Sequence, residues 1–290
     1  MLKKTTRGMT AGMTRRGVGF AVAGGGGPTY LLDTYSGAAA AYSLRRLNTA
    51  YTGPVVQVRR SGDSAEDTFS ATEVGDGTLA AWVTAGGGTE NGFVKTWYDQ
   101  SGNGNDASQA TAASQPQIVA SGAVVAKGLS FNGTSYFLEN TSVSISESYA
   151  FGVASFDVKN REDGIYQIGS VNEVSSILQE NLNGGTIVFR RSSSADINST
   201  SFSAGTEYLL THAALNDSGQ GFLNGNSQGS DSTLLSLISV SMLKIGWIGL
   251  AGRFYLDGTI NELVIYNSDQ SSNRTGIESN IASHYGITLS

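Results

Sequence analysis

Cysteine is absent from the 290 residues, and there are only 2 histidines, 3 prolines and 4 methionines. Without thiols the chain can build no disulfide framework, no thiolate zinc or iron–sulfur site and no cysteine nucleophile. His212 and His284 are too few for a multi-histidine metal centre. Charge is scarce too: charged residues make up 14% of the chain, against roughly 25% in ordinary soluble domains. No continuous apolar run of ~20 residues occurs, which excludes a transmembrane helix. A net charge of −6 argues against nucleic acid as the main partner.

Glycine, by contrast, is plentiful. Its 38 residues are about twice the usual ~7% share. Much of the balance is Ser, Thr, Asn and Ala, which favours turns and strands over long helices. Hydrophobic residues at 39% suffice for one sizeable core or two small ones. The charge is unevenly placed: residues 1–16 hold five cations (Lys3, Lys4, Arg7, Arg15, Arg16) and no acid, leaving 13 cations and 24 acids beyond them, a net of −11.

Residues 1–28 therefore read as a basic arm. Gly24–Gly27 and Pro28 form its hinge, and the five cations anchor it on a partner subunit. A secretory signal is the competing reading, with Ala21-Val22-Ala23 as the cleavage site. Its apolar piece, Val18–Ala23, is shorter than the 7–15 residues expected of a signal core.

Residues 29–290 read as one domain. Ser36–Asn48 suggests a helix capped by Ser36, with Ala41, Leu44 and Leu47 or Asn48 on one face. A second short helix starts at Thr78 and stops at Gly86–Gly88, and a third covers about 271–284, with Ile277 and Ile281 on one face. Strands are expected at 55–60 and 93–98. Beyond residue 115 they follow at 128–131, 135–138, 149–158, 164–169, 175–180, 185–191, 206–215, 219–224, 242–248 and 259–266. Turn pairs such as Asn132-Gly133, Asn183-Gly184, Asn224-Gly225 and Asp257-Gly258 separate them. That spacing is the signature of a β-sandwich.

Three ordered segments carry a family likeness: Leu31–Leu47, Val58–Asp63, and Thr96–Asp106 with its Tyr-Asp-Gln-Ser-Gly-Asn-Gly-Asn run. Together they resemble the N-terminal part of the catalytic domain of the α-L-arabinofuranosidase B family. Leu129–Leu138, Phe222–Asn226 and Phe254–Tyr266 resemble a laminin-G or concanavalin A-like lectin/glucanase domain. The resemblance implies an all-β, concanavalin A-like jelly-roll β-sandwich with one or two short helices and an extended N-terminal arm. Similar domains also occur in structural proteins of tailed bacteriophages.

Hydrolytic members of this family are retaining enzymes, which place a nucleophile and an acid/base about 5–5.5 Å apart. The resemblance puts the nucleophile in an Asp-x-Glu segment downstream of a vicinal cysteine pair. This chain has neither; Gln179-Glu180-Asn181 comes nearest. The most conspicuous polar–aromatic cluster is Trp97, Tyr98, Asp99, Gln100, Asn103 and Asn105. It could bind glycan, with a ring stacked on sugar and amides on its hydroxyls. Alternatively Asp99 and Asn103 cap a turn while the aromatics fill the core. Gly102-x-Gly104-x-x-Ala107 mimics a dinucleotide fingerprint but lacks its βαβ setting. Glu139, Asp157, Glu162, Asp163 and Asp217 are the side chains that a calcium ion (Ca2+) would use, with no compact ligand motif among them. His212 reads as a half-buried packing residue and His284 as a helix-end residue.

With no catalytic pair aligned, the sequence reads first as a non-enzymatic phage virion protein: capsid decoration, head fibre or tail-associated. It would be assembled in the host cytoplasm and displayed on the virion surface as a homo-oligomer. The arm would bind other virion subunits, and the sandwich host-surface or environmental glycans. The alternative is a glycoside hydrolase of α-L-arabinofuranosidase type, and a third reading is an exported adhesin.

Overall fold

A computed structural model of the chain describes residues 29–290 except 126, 160, 170–174, 181–184, 192–195, 236–238 and 250–253. The arm with its five cations and hinge, and the Asn183-Gly184 pair, lie outside the described residues.

Antiparallel pairing dominates, in two layers. The first runs Ala38–Ser43, Asp257–Tyr266, Ser148–Phe156, Tyr208–Ala214, Gly219–Leu223, Asn226–Asp231. The second starts with Glu66–Phe69, Val56–Arg60, Gly92–Trp97 and Ala107–Ser108. It continues through Leu138–Asn140, Leu243–Ile245, Asp163–Ile168, Ser175–Glu180, Thr186–Arg191 and Asp196–Ser201. Leu129–Asn132 pairs with both Asp257–Tyr266 and Gln117, stitching the layers into one nearly closed sheet. This is the jelly-roll sandwich the sequence implied.

Alternation along the central strand explains how one sheet serves two cores. Ala150, Ala154 and Phe156 enter the main core between the layers. Tyr149, Phe151 and Val153 face the opposite way, into a second core beneath the helix Arg274–Tyr285. All nine residues of Ser148–Phe156 are consequently buried. Its neighbour solves a parity problem with a bulge: the register slips between Val153 and Ala154, opposite Glu262 and Ile260. Ile260 and Leu263, three apart, thereby both reach the main core, and the extra residue, Asn261, is accommodated in the kink.

The C-terminal helix buries Ile277, Ile281 and Tyr285 at successive four-residue steps. Gly286 ends it in the left-handed region at φ 74°, where a side chain would be strained. Gly246 (φ 78°) is needed for space as well, since a Cβ there would lie 2.2 Å from the Phe131 ring.

Most strands fall where alternation predicted them; one helix does not. Ala38–Ser43, expected as part of the helix Ser36–Asn48, is a strand on the edge of the first layer. Alanine favours helices only weakly enough that tertiary pairing overrides it. Here Ala40 and Tyr42 fill the main core while Ala38 and Ala41 fill the second. The expected helix at Thr78 is present over Thr78–Ala85.

Candidate active site

The Trp97–Asn105 cluster turns out to be turned inward. Trp97 is fully buried, packed 5.7 Å from Tyr42, and offers no face to a sugar. Asp99 accepts hydrogen bonds from the backbone N–H groups of Ala41 (2.8 Å), Ser101 (2.8 Å) and Asn105 (3.0 Å), and from Ser101 Oγ (2.6 Å). Gln100 accepts from Leu47 N–H at 2.9 Å and donates to the Ser43 and Arg45 carbonyls at 2.9 Å. Asn103 donates to Ala38 O at 2.9 Å and Asn105 to Ala39 O at 2.8 Å. Half-buried Tyr98 completes the run. These side chains occupy the free edge of Ala38–Ser43, whose backbone groups would otherwise go unpaired. The Gly102–Ala107 stretch is part of that loop and opens no helix.

A different group of residues meets at one end of the sandwich. Asp163 begins a strand of the second layer and sits opposite Gln179. Asp257 begins the long strand of the first layer. Arg161 spans the gap: its Nε lies 2.8 Å from Asp163 Oδ1 and its Nη1 3.3 Å from Asp257 Oδ2. Arg161 Nη2 also donates to the Gly133 carbonyl, and Gln179 Nε2 donates to Asp163 Oδ2 at 2.5 Å. Asp163 is fully buried while Asp257 is partly exposed.

Burial pushes the Asp163 carboxyl up to about 6; Asp257's negative charge adds to the rise, and Gln179 and Arg161 oppose it. Burial, then Asp257, raises Asp157 as well. Two carboxylates therefore share one guanidinium, and one of them holds its proton at mildly acidic pH. That is the arrangement by which paired acids divide into proton donor and anion.

An aromatic shelf adjoins them. Gly164, next to Asp163, bridges to Tyr255; Tyr255 stacks on Trp247 at 5.5 Å and 10°, and Phe137 lies 5.1 Å from Trp247. Lys244 Nζ sits 3.6 Å above the Trp247 ring. The side chain of Glu180, on the strand facing Asp163–Ile168, is not among the described atoms.

Of these residues, the sequence singled out Asp163 and Asp157 only as calcium ligands, and Gln179-Glu180 only as a partial motif. Among the described residues no three His, Asp or Glu side chains gather in a way that could hold a metal. The signal for the site was Arg161-x-Asp163, which became meaningful once the topology set Asp257 beside it. His212 is fully rather than half buried; its Nδ1 lies 3.1 Å from Tyr166 OH, and burial, then Arg191, holds it down at about 3.

Fold and site together define a jelly-roll β-sandwich with paired acids beside an aromatic shelf. The family model described as α-L-arabinofuranosidase B, catalytic, matches residues 32–178, about half the sequence, and the chain belongs to that family. Its fold is that of a GH54 α-L-arabinofuranosidase variant soaked with 4-nitrophenyl α-L-arabinofuranoside (TM-score 0.65, 16% identity, 87% of this chain and 64% of that one). An arabinofuranosidase complexed with arabinofuranosyl-α-1,2-xylobiose is similar at TM-score 0.65 and 15% identity, with the same coverage. A Trypanosoma rangeli sialidase is more distant, at TM-score 0.51, 15% identity, 68% of this chain and 32% of that one. The chain thus spans 64% of the length of those arabinofuranosidases. No curated protein matches it in sequence.

The family match corrects the first reading of the sequence. A non-enzymatic phage virion protein does not fit a chain whose residues 32–178 match a glycosidase catalytic model. The family match holds although Asp-x-Glu and the cysteine pair are missing from the sequence.

Proposed function

We propose that the chain is a glycoside hydrolase of the α-L-arabinofuranosidase type. The observation that carries this reading is the match to the family's catalytic model over residues 32–178, which contains Asp163 with its raised carboxyl. Asp163 is the proton donor to the departing glycosidic oxygen. Asp257, 3.3 Å from Arg161 Nη1, is the carboxylate that attacks the anomeric carbon or activates water. Retaining pairs stand ~5–5.5 Å apart and inverting pairs ~6.5–9.5 Å, so the separation of the two carboxyls sets the stereochemical outcome. Tyr255 and Trp247 supply the apolar wall on which a sugar face rests.

The test is turnover of 4-nitrophenyl and methyl α-L-arabinofuranosides by the full chain and by Asp163→Asn, Asp257→Asn and Glu180→Gln. Nitrophenolate leaves without help, so Asp163→Asn should lose far more on the methyl glycoside, on the order of 10²–10⁴-fold. Loss in Glu180→Gln with full activity in Asp257→Asn would move the nucleophile to Glu180. Absence of turnover on any arabinofuranoside overturns the reading.

A further inference from the structure

Two clefts whose lining includes neither Asp163 nor Asp257, of about 470 and 430 Å³, share Arg45 and Ala71 and so adjoin as one groove. Its two ends differ in chemistry. One end is lined by Tyr30, Tyr51 and Arg46, and Arg46 stacks 5.2 Å from the Tyr30 ring centre. The other is lined by Lys127, His284 and Tyr285 against apolar walls.

The charged groups of the groove are not equally free. Arg45 is matched by Glu262, at 2.7 Å from its Nε and 2.8 Å from its Nη2. Arg46 donates to the Asn48 and Thr49 carbonyls, with Asp33 close by, itself held low first by Thr49. Glu73 near Ser70 is spent on a capping box. Lys127 is different. Its Nζ donates to the Tyr285 carbonyl at 3.2 Å, which leaves two of its three N–H donors, and no carboxylate pairs with it among the described residues. Arg45 and Lys127 flank the Tyr285 ring at 6.0 and 5.7 Å. Burial, then Arg45 and Lys127, hold His284 below its usual value, against Glu262. The Lys127 end thus carries an uncompensated positive charge on a body whose net charge beyond residue 16 is −11.

We infer that this groove is an accessory binding site for an oligosaccharide bearing one uronic acid, its carboxylate on Lys127 and its neutral sugars over Tyr30 and Tyr51. A densely charged polyanion does not suit it, since the acidic surroundings repel every charge but the one at Lys127. The tyrosine faces and the hydroxyls of Thr52 and Thr72 suit sugar rings. That the occupant is a sugar rests on the proposed function; that it is an anion rests on the groove alone.

Calorimetric titration of the full chain tests this with a xylotriose carrying one glucuronic acid, its neutral parent xylotriose, and inorganic phosphate. The acidic oligosaccharide should bind at least tenfold tighter than the neutral one, and weaken with added salt. Lys127→Gln should remove that preference, and Lys127→Arg should restore it, with arabinofuranoside turnover and melting temperature unchanged. Equal binding of the acidic and neutral sugars, no binding of either, or an unaffected Lys127→Gln variant overturns the inference. So does phosphate binding as tightly as the uronate, which would make the site a generic anion pocket. Repeating the titration with Asp163→Asn separates the two claims: binding persists there even if hydrolysis is absent altogether.

Discussion

Two arginine–carboxylate clusters in the sandwich are supplied with hydrogen-bond donors very differently. Around Glu262 every acceptor is used: Arg45 grips both oxygens, and Ser43 Oγ (2.9 Å) and Tyr285 OH (3.1 Å) donate to Oε2. Asn280 receives the rest of the guanidinium at 3.1 Å. This network staples the C-terminal helix to the sheet. Around Asp163 the same ingredients are under-supplied. One arginine serves two acids, one amide helps, and the carboxyl rises to about 6. A buried carboxylate given enough donors becomes structure; one given too few keeps a proton that can be used.

The largest effect should come from breaking the staple. Glu262→Gln sets an amide against the Arg45 fork and strands a buried cation, which costs about 3–5 kcal/mol. Thermal melting should fall by on the order of 10 °C, while turnover by the folded fraction stays. An unchanged melt with lost turnover would make Glu262, not Asp163, the working acid.

Next in size is the pH dependence of stability. Asp163 has a folded value of about 6 against ~3.9 for the unfolded chain. Between those values the folded state holds more protons than the unfolded one. The group therefore stabilises most below pH ~4, and that contribution, up to ~3 kcal/mol, is lost as pH rises through about 6. Chemical denaturation from pH 4 to 7 should show this slope in the wild type and not in Asp163→Asn. A shared slope would place the proton elsewhere.

Gln179→Leu removes the amide that donates to Asp163, an interaction of the kind worth about 1.5–3 kcal/mol. The carboxyl should rise further, moving the alkaline limb of turnover to higher pH; a limb moving down would show that Gln179 does not set it. The smallest effect belongs to Ser43→Ala. Glu262 keeps three other donor contacts, so the loss in denaturation free energy should be near 1 kcal/mol, with the Asp163-dependent slope untouched.

The sandwich was legible in the sequence because alternation and Gly-centred turns are local signals, and both survive in Tyr208–Ala214 and Asp257–Tyr266. Ala38–Ser43 was not, since its strand state comes from a partner more than 200 residues away. The Asn/Gly loop at 99–106 was conspicuous for its chemistry, yet that chemistry is spent on the free edge of Ala38–Ser43. The acid pair was hidden for the converse reason. Asp163 and Asp257 look like ordinary loop acids until the two layers bring them to one arginine, and burial, which no spacing reveals, raises one of them.

The measurement that bears most directly on this division of labour is the pH dependence of kcat/KM on methyl α-L-arabinofuranoside. The Asp163 assignment predicts turnover that falls as pH rises through about 6, and its near-complete loss in Asp163→Asn with the fold intact. A profile flat through that range, or full turnover by Asp163→Asn, contradicts it.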